Sequence, residues 1–93
     1  MIQQNDNGFS YLKGADILGE ITFVPLASEQ QIIADHTYVS PAARGQGIAA
    51  QLLDALAAYA RENQVKIVPQ CSYVQSMFDR LTAVFNVAFY LPI

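Results

Sequence analysis

The sequence predicts an α+β fold with α/β-like features: a mixed sheet with antiparallel N-terminal strands, then strand–helix–strand–helix with one parallel pair. Three observations carry this expectation. Three segments of alternating or β-branched residues precede any helical periodicity. The third, Ile32 to Val39, runs into a Pro41-containing turn, an Arg44-Gly45-Gln46-Gly47 loop and an apolar-periodic helix. A short strand, Lys66 to Val68, follows that helix, and two neighbouring strands joined by a helix pair in parallel through a right-handed crossover.

Taken in order, Phe9 to Lys13 reads as a short strand and Lys13-Gly14-Ala15-Asp16 as a hairpin turn. In Ile17 to Val24, strict alternation puts Ile17, Gly19, Ile21 and Phe23 on one face and Leu18, Glu20, Thr22 and Val24 on the other. Pro25 to Gln30 is a loop. In the third strand Ile33, Asp35, Thr37 and Val39 alternate with Ile32, Ala34, His36 and Tyr38; apolar groups on both faces predict a central strand covered on both sides. The helix from Gly47 to Glu62 presents Ile48, Leu52, Leu56 and Tyr59 on one stripe, flanked by Leu53 and Ala60, and breaks at Asn63. After Cys71, the spacing of Val74, Met77, Phe78 and Leu81 predicts a second amphipathic helix. The tail from Leu81 to Ile93 carries no charge, which predicts burial within the fold ahead of a dimer contact.

Ninety-three residues predict one domain spanning 1–93, near the lower limit for a self-sufficient core, because a chain of this size buries only roughly 60–65% of its unfolded surface. An apolar fraction of 53% against 14% charged residues offsets that handicap. No run approaches the ~18 apolar residues that cross a bilayer. The polar start, Met1 to Asn7, lacks the basic and apolar regions of a secretory leader. With Cys71 as the single cysteine, no internal disulfide can form, and a cytoplasmic location is expected. Net charge is −3, and Lys13, Arg44, Arg61, Lys66 and Arg80 are scattered, which argues against nucleic acid as a partner. An acidic protein favours cationic partners such as amines.

Chemistry concentrates at the third-strand–loop–helix junction. A helix that starts from a glycine-rich loop leaves N–H groups without partners at the positive end of its dipole, and that arrangement binds anions, phosphates above all. Glycines let backbone approach a ligand closely, and Arg44 adds a fixed positive charge. The loop is not a Walker A motif, because no Lys-Ser/Thr pair follows its second glycine. A dinucleotide fingerprint is disfavoured by position: strands precede the loop, and the next strand ends in Pro69 without an acidic residue.

Arg44-Gly45-Gln46-Gly47-Ile48-Ala49 fits the pattern (Arg/Gln)-x-x-Gly-x-(Gly/Ala) and resembles the acyl-CoA-binding loop of the GNAT N-acetyltransferase superfamily. His36-Thr37-Tyr38-Val39 before the loop, Ala60-Arg61 at the helix end and Lys66-Ile67-Val68-Pro69-Gln70-Cys71-Ser72-Tyr73-Val74 after it are similar to the small, single-domain GNAT-like branch, in which a cysteine follows the strand after the helix. The uncharged tail departs from that branch. The resemblance implies an acetyl-CoA-dependent N-acetyltransferase acting on an amine, borne by a protein lysine, a polyamine or a small molecule. It implies cofactor contacts from Tyr38, Val39, Arg44, Gly45, Gln46, Gly47, Ile48 and Ala49, with the backbones of Tyr38 and Val39 pairing with the pantetheine arm.

Cys71 and His36 are the candidate catalytic groups. A lone cysteine is most often a small buried hydrophobe; against that, Cys71 stands just past the C-terminal end of a parallel strand and at a helix start, where ligands bind and thiol pKa values fall. The resemblance implies that it lies near the thioester, either accepting the acetyl group or shaping the site while the amine attacks directly. His36 reads equally as a hydrogen-bonded strand residue or as a general base, provided it shares a face with Cys71. Tyr73 reads as a core or rim residue ahead of a proton donor to the departing thiolate. No metal site is expected, and the chain is expected to be a monomer or weak homodimer. Two other classes stay open: a non-catalytic CoA-binding regulatory module, and a small interaction protein dimerising through its tail.

Overall fold

A computed structural model describes residues 1–26 and 30–77. Among the described residues, five strands form one sheet in sequential order: β1 (Ile2–Asn5), β2 (Gly8–Lys13), β3 (Asp16–Leu26), β4 (Gln31–Val39) and β5 (Lys66–Pro69). The first four pair antiparallel and β5 pairs parallel to β4, as a helical crossover between them requires. That helix, α1 (Ile48–Glu62), lies across one face of the sheet, and residues 72–77 are helical after β5. The later part of the second predicted helix, with Phe78 and Leu81, and the tail to Ile93 lie outside the described residues.

Strand β1 has no counterpart in the sequence-based reading. Its Gln3, Gln4 and Asn5 are exposed at the sheet edge, so no apolar alternation marks it. The turn that returns it to β2 is built by Asn5, whose Oδ1 accepts the Asn7 N–H at 2.9 Å. The predicted hairpin at Gly14 is present, with Lys13 opposite Asp16 and Gly14 at φ 62°.

Two β-bulges change which residues share a face. In β3, Tyr11 pairs with Gly19 and Leu12 with Ile17, leaving Leu18 as the extra residue. Ile17 is therefore displaced from the face of Gly19, Ile21 and Phe23 and is 56% exposed, while Leu18 packs on the core. In β4, Thr22 pairs with His36 and Phe23 with Ala34, leaving Asp35 as the extra residue, its Oδ1 accepting the Thr22 hydroxyl at 2.7 Å. Ile32 and Ala34 face α1; beyond the bulge Thr37 and Val39 take over that face, opposite Ile21 and Gly19. His36 and Tyr38 turn to the other side. That side is open among the described residues, with Val24 and Tyr38 exposed.

The core lies between the sheet and α1. Ile48, Leu52, Leu53, Leu56 and Ala60 are buried along the helix stripe, against Phe9, Ile21, Phe23, Ile32, Ala34 and Ile67. Tyr59 packs its ring 5.0 Å from that of Phe23 and 6.1 Å from that of Phe9. At Gly19 a Cβ would sit 2.9 Å from the Tyr38 carbonyl and 3.0 Å from Ile48 Cγ2, so the missing side chain is what lets the first turn of α1 settle on the sheet. The helix ends with Asn63 as cap: the Val65 N–H reaches back to the Ala60 carbonyl and the Gln64 N–H to that of Arg61, with Gln64 left-handed at φ 56°. This turn reverses the chain into β5.

Candidate active site

The sheet positions a site where β4 and β5 part. β5 pairs only with Gln31 to Ala34 of β4. Past Pro69 the chain turns away, and the N–H groups of Gln70 and Cys71 both donate to the Ala34 carbonyl, at 3.2 and 2.9 Å. Among the described residues, residues 35–39 of β4 therefore have a strand on their β3 side only. The Ser40 N–H donates to the Leu18 carbonyl at 2.8 Å, which fixes the alternation. In an antiparallel ladder the backbone groups of Tyr38 then point to β3, and those of Thr37 and Val39 point to the open edge.

The predicted loop follows directly. A single 3-10 turn, Pro41–Ala43, leads to Arg44, and Gly45 and Gly47 take left-handed φ values of 85° and 73°. Gly47 caps α1 with no side-chain hydrogen bond, and no acidic residue stands in the first turn. The N–H groups of Ile48, Ala49 and Ala50 have no intrahelical partner there. They border an open hollow of about 190 Å³ whose walls include Val39, Arg44, Gly45, Gly47 and Tyr73. The Arg44 Nε donates to the Val39 carbonyl at 3.4 Å, holding the exposed guanidinium beside the hollow. Orphan amides, a helix dipole and a cation thus converge on one space, which suits an anionic group.

Cys71 is half-buried and stands outside the lining of the hollow, two residues before Tyr73, which is part of it. Its Sγ lies 3.6 Å from the Thr37 Oγ1. Burial pushes the thiol up, but the Thr37 hydroxyl and the backbone N–H groups of Val74, Tyr73 and Thr37 favour the thiolate and together hold it below the usual thiol value.

Of the sequence-predicted residues, Val39, Arg44, Gly45, Gly47, Ile48 and Ala49 meet around the hollow. Gln46 is an exposed loop residue outside its lining, and Tyr38 lies on the far face with its backbone committed to β3. His36 is not brought to Cys71. The bulge at Asp35 places it opposite Thr22 on the exposed face, whereas Thr37 meets the thiol. The sequence-based reading missed Thr37, and the one signal for it is the bulge, which period-2 alternation does not contain. Among the described residues no cluster of three His, Cys, Asp or Glu side chains stands ready for a metal. None of the described helices is long and apolar enough to cross a membrane.

Among the described residues, a mixed sheet whose parallel pair splays beside a glycine-capped helix makes an α+β architecture. The profile of the GCN5-related N-acetyl-transferases matches residues 8–85, and the chain belongs to that family of N-acetyltransferases. It is similar to the solution structure of a Staphylococcus aureus protein assigned to the GCN5-like N-acetyltransferases, at 33% identity and a TM-score of 0.78, over 100% of this chain and 89% of that one. Two crystal structures share the fold. A ribosomal-protein-alanine N-acetyltransferase from Brucella melitensis biovar Abortus 2308 has a TM-score of 0.59 at 23% identity, over 78% of this chain and 59% of that one. Nourseothricin acetyltransferase has a TM-score of 0.59 at 18% identity, over 78% and 46%. No curated protein matches the sequence.

Proposed function

We propose that the chain, as one domain, transfers an acetyl group from acetyl-CoA to an amine acceptor, a small molecule or a protein lysine, with Cys71 at the reacting end. The observation that carries the reading is the place where β5 leaves the sheet: the orphan amides of α1 border a hollow walled by Val39 and Tyr73, and Cys71, two residues before Tyr73, meets Thr37, two residues before Val39. Acetyl-CoA is the donor substrate. Its pyrophosphate suits the first-turn amides of α1 with Arg44, since both supply fixed positive potential to a group that stays charged throughout the reaction. The amides of its pantetheine arm suit the Thr37 and Val39 backbone, whose ladder positions no strand of the described residues fills. The arm would act as a short extra strand.

In the covalent version of the chemistry, the Cys71 thiolate attacks the thioester carbonyl carbon. A new carbon–sulfur bond forms, the bond to the CoA sulfur breaks, and CoA leaves as its thiolate to take a proton from water. The amine nitrogen then attacks the acetyl-cysteine, the Cys71 thiolate is released, and the nitrogen loses its proton to solvent. In the direct version the amine attacks the donor thioester itself and Cys71 lines the site. His36 takes no part in either version, given its place on the opposite face.

Incubation with acetyl-CoA, followed by intact-protein mass spectrometry, is expected to reveal one labile acetyl adduct that Cys71→Ala abolishes. Turnover without any adduct selects the direct route. Titration calorimetry that detects no CoA binding to the wild-type chain overturns the whole reading.

A further inference from the structure

We infer that Thr37 is the positioning residue of the Cys71 sulfur, holding it at the open edge of β4 through its side-chain hydroxyl, in the place where a histidine partner was expected. The inference rests on the reading of Cys71 as the thiol of the acetyl-transfer site, and names the group that controls it.

The geometry is specific. The Thr37 Oγ1 is 3.6 Å from Sγ across 34 residues of chain. The Thr37 side chain reaches the α1 face only because the bulge at Asp35 resets the alternation of β4, and its backbone N–H points to the same open edge as its neighbour Val39. A hydroxyl can do what a fixed donor cannot: it accepts the S–H of the neutral thiol and, after rotation, donates to the thiolate. It therefore follows the sulfur through both charge states without itself titrating near neutrality. The backbone N–H groups of Val74, Tyr73 and Thr37 also favour the thiolate.

Among the described residues, charged groups on the neighbouring elements face elsewhere. On β4, Asp35 and His36 are exposed on the far face; on β5, Lys66 is exposed at the opposite end of the strand, paired with Gln31. On α1, Asp54, Arg61 and Glu62 are exposed, away from the buried stripe, and Arg44 is exposed at the loop. Tyr73, on the segment after the thiol, lines the loop hollow. Among the described residues, the Thr37 hydroxyl is the side-chain group that hydrogen-bonds with the sulfur.

The test is the pH profile of Cys71 alkylation by iodoacetamide in the ligand-free protein, read by intact mass. Thr37→Val, which keeps the shape and removes the hydroxyl, is expected to raise the midpoint by a few tenths to about one pH unit. Thr37→Ala is expected to do the same and decides the matter if the valine variant does not fold. Thr37→Ser, which restores the hydroxyl, is expected to return the wild-type midpoint. Wild-type midpoints in both the valine and alanine variants, or a serine variant shifted as far as valine, would overturn the inference. Alkylation needs neither CoA nor acceptor, so an absent acetyl adduct would sink the acyl-cysteine route while leaving this result standing.

Discussion

Gly47→Glu is expected to abolish CoA binding in titration calorimetry while leaving the protein folded. Two effects combine at this residue. Gly47 sits at φ 73°, where a side chain is strained by roughly 1–2 kcal/mol. The new carboxylate also stands at the cap of α1, next to the orphan amides. At ~5 Å and an effective dielectric near 20, one unit charge repels another by about 3 kcal/mol, more than a hundredfold in affinity for each phosphate charge. Open space around a Gly47 Cβ removes simple clash as the explanation. Gly14→Glu is the control: Gly14 has φ 62°, is equally open, and lies in the β2–β3 turn. It carries the same charge and the same strain away from the loop, so its CoA affinity should equal wild type. Equal losses in both variants would mean that the loop is not the anion site.

Leu52→Ala is expected to give the largest loss of stability among single truncations of α1. Leu52 is fully buried, and its Cδ1 would lie 3.4 Å from a Cβ at Gly19, so it fills the space between the helix and the centre of β3. Removing a buried leucine costs about 2–5 kcal/mol, the upper values where the surroundings cannot collapse. Small domains hold only about 5–15 kcal/mol in total. In a chain of this length each kilocalorie is worth about 4–8 °C in Tm, so a drop of roughly 10 °C or more in a calorimetric scan is expected. The same cavity loosens the seat of the first turn of α1, and CoA affinity should fall with it. A Tm within 3 °C or so of wild type would mean that α1 does not pack as described.

The parts of the fold that were legible in the sequence share a physical cause: each is a local rule acting alone. The α1 stripe of Ile48, Leu52 and Leu56 follows from helical period, the Gly14 turn from backbone freedom, and the parallel β4–β5 pair from the length of the crossover. The loop at Arg44 to Gly47 was visible because glycine and arginine at a helix start have little packing purpose of their own. What escaped depended on partners elsewhere. β1 is stabilised by ladder hydrogen bonds to β2, which polar Gln3 and Gln4 make as well as any residue. The two bulges arise from pairing between strands, so neither Leu18 nor Asp35 announces itself along the chain. The pairing of His36 with Cys71 failed at that point: the expectation of a shared face assumed one unbroken alternation through β4, and the ladder contains two.

The bulge in β4 has a bearing on chain length as well as on side-chain direction. Ala34 and His36 stand opposite the adjacent residues Phe23 and Thr22, so a chain lacking Asp35 would run as a plain ladder with the same partners. Thr37 would still meet Cys71, and His36 would still face outward; only the hydrogen bond from Thr22 would be lost. Asp35 is thus slack in the strand, a place where the backbone can shed a residue without exchanging inside for outside. Deleting His36 would leave the same plain ladder with Asp35 opposite Thr22, whereas deleting Thr37 would set His36 opposite Ile21 and take the hydroxyl from the thiol.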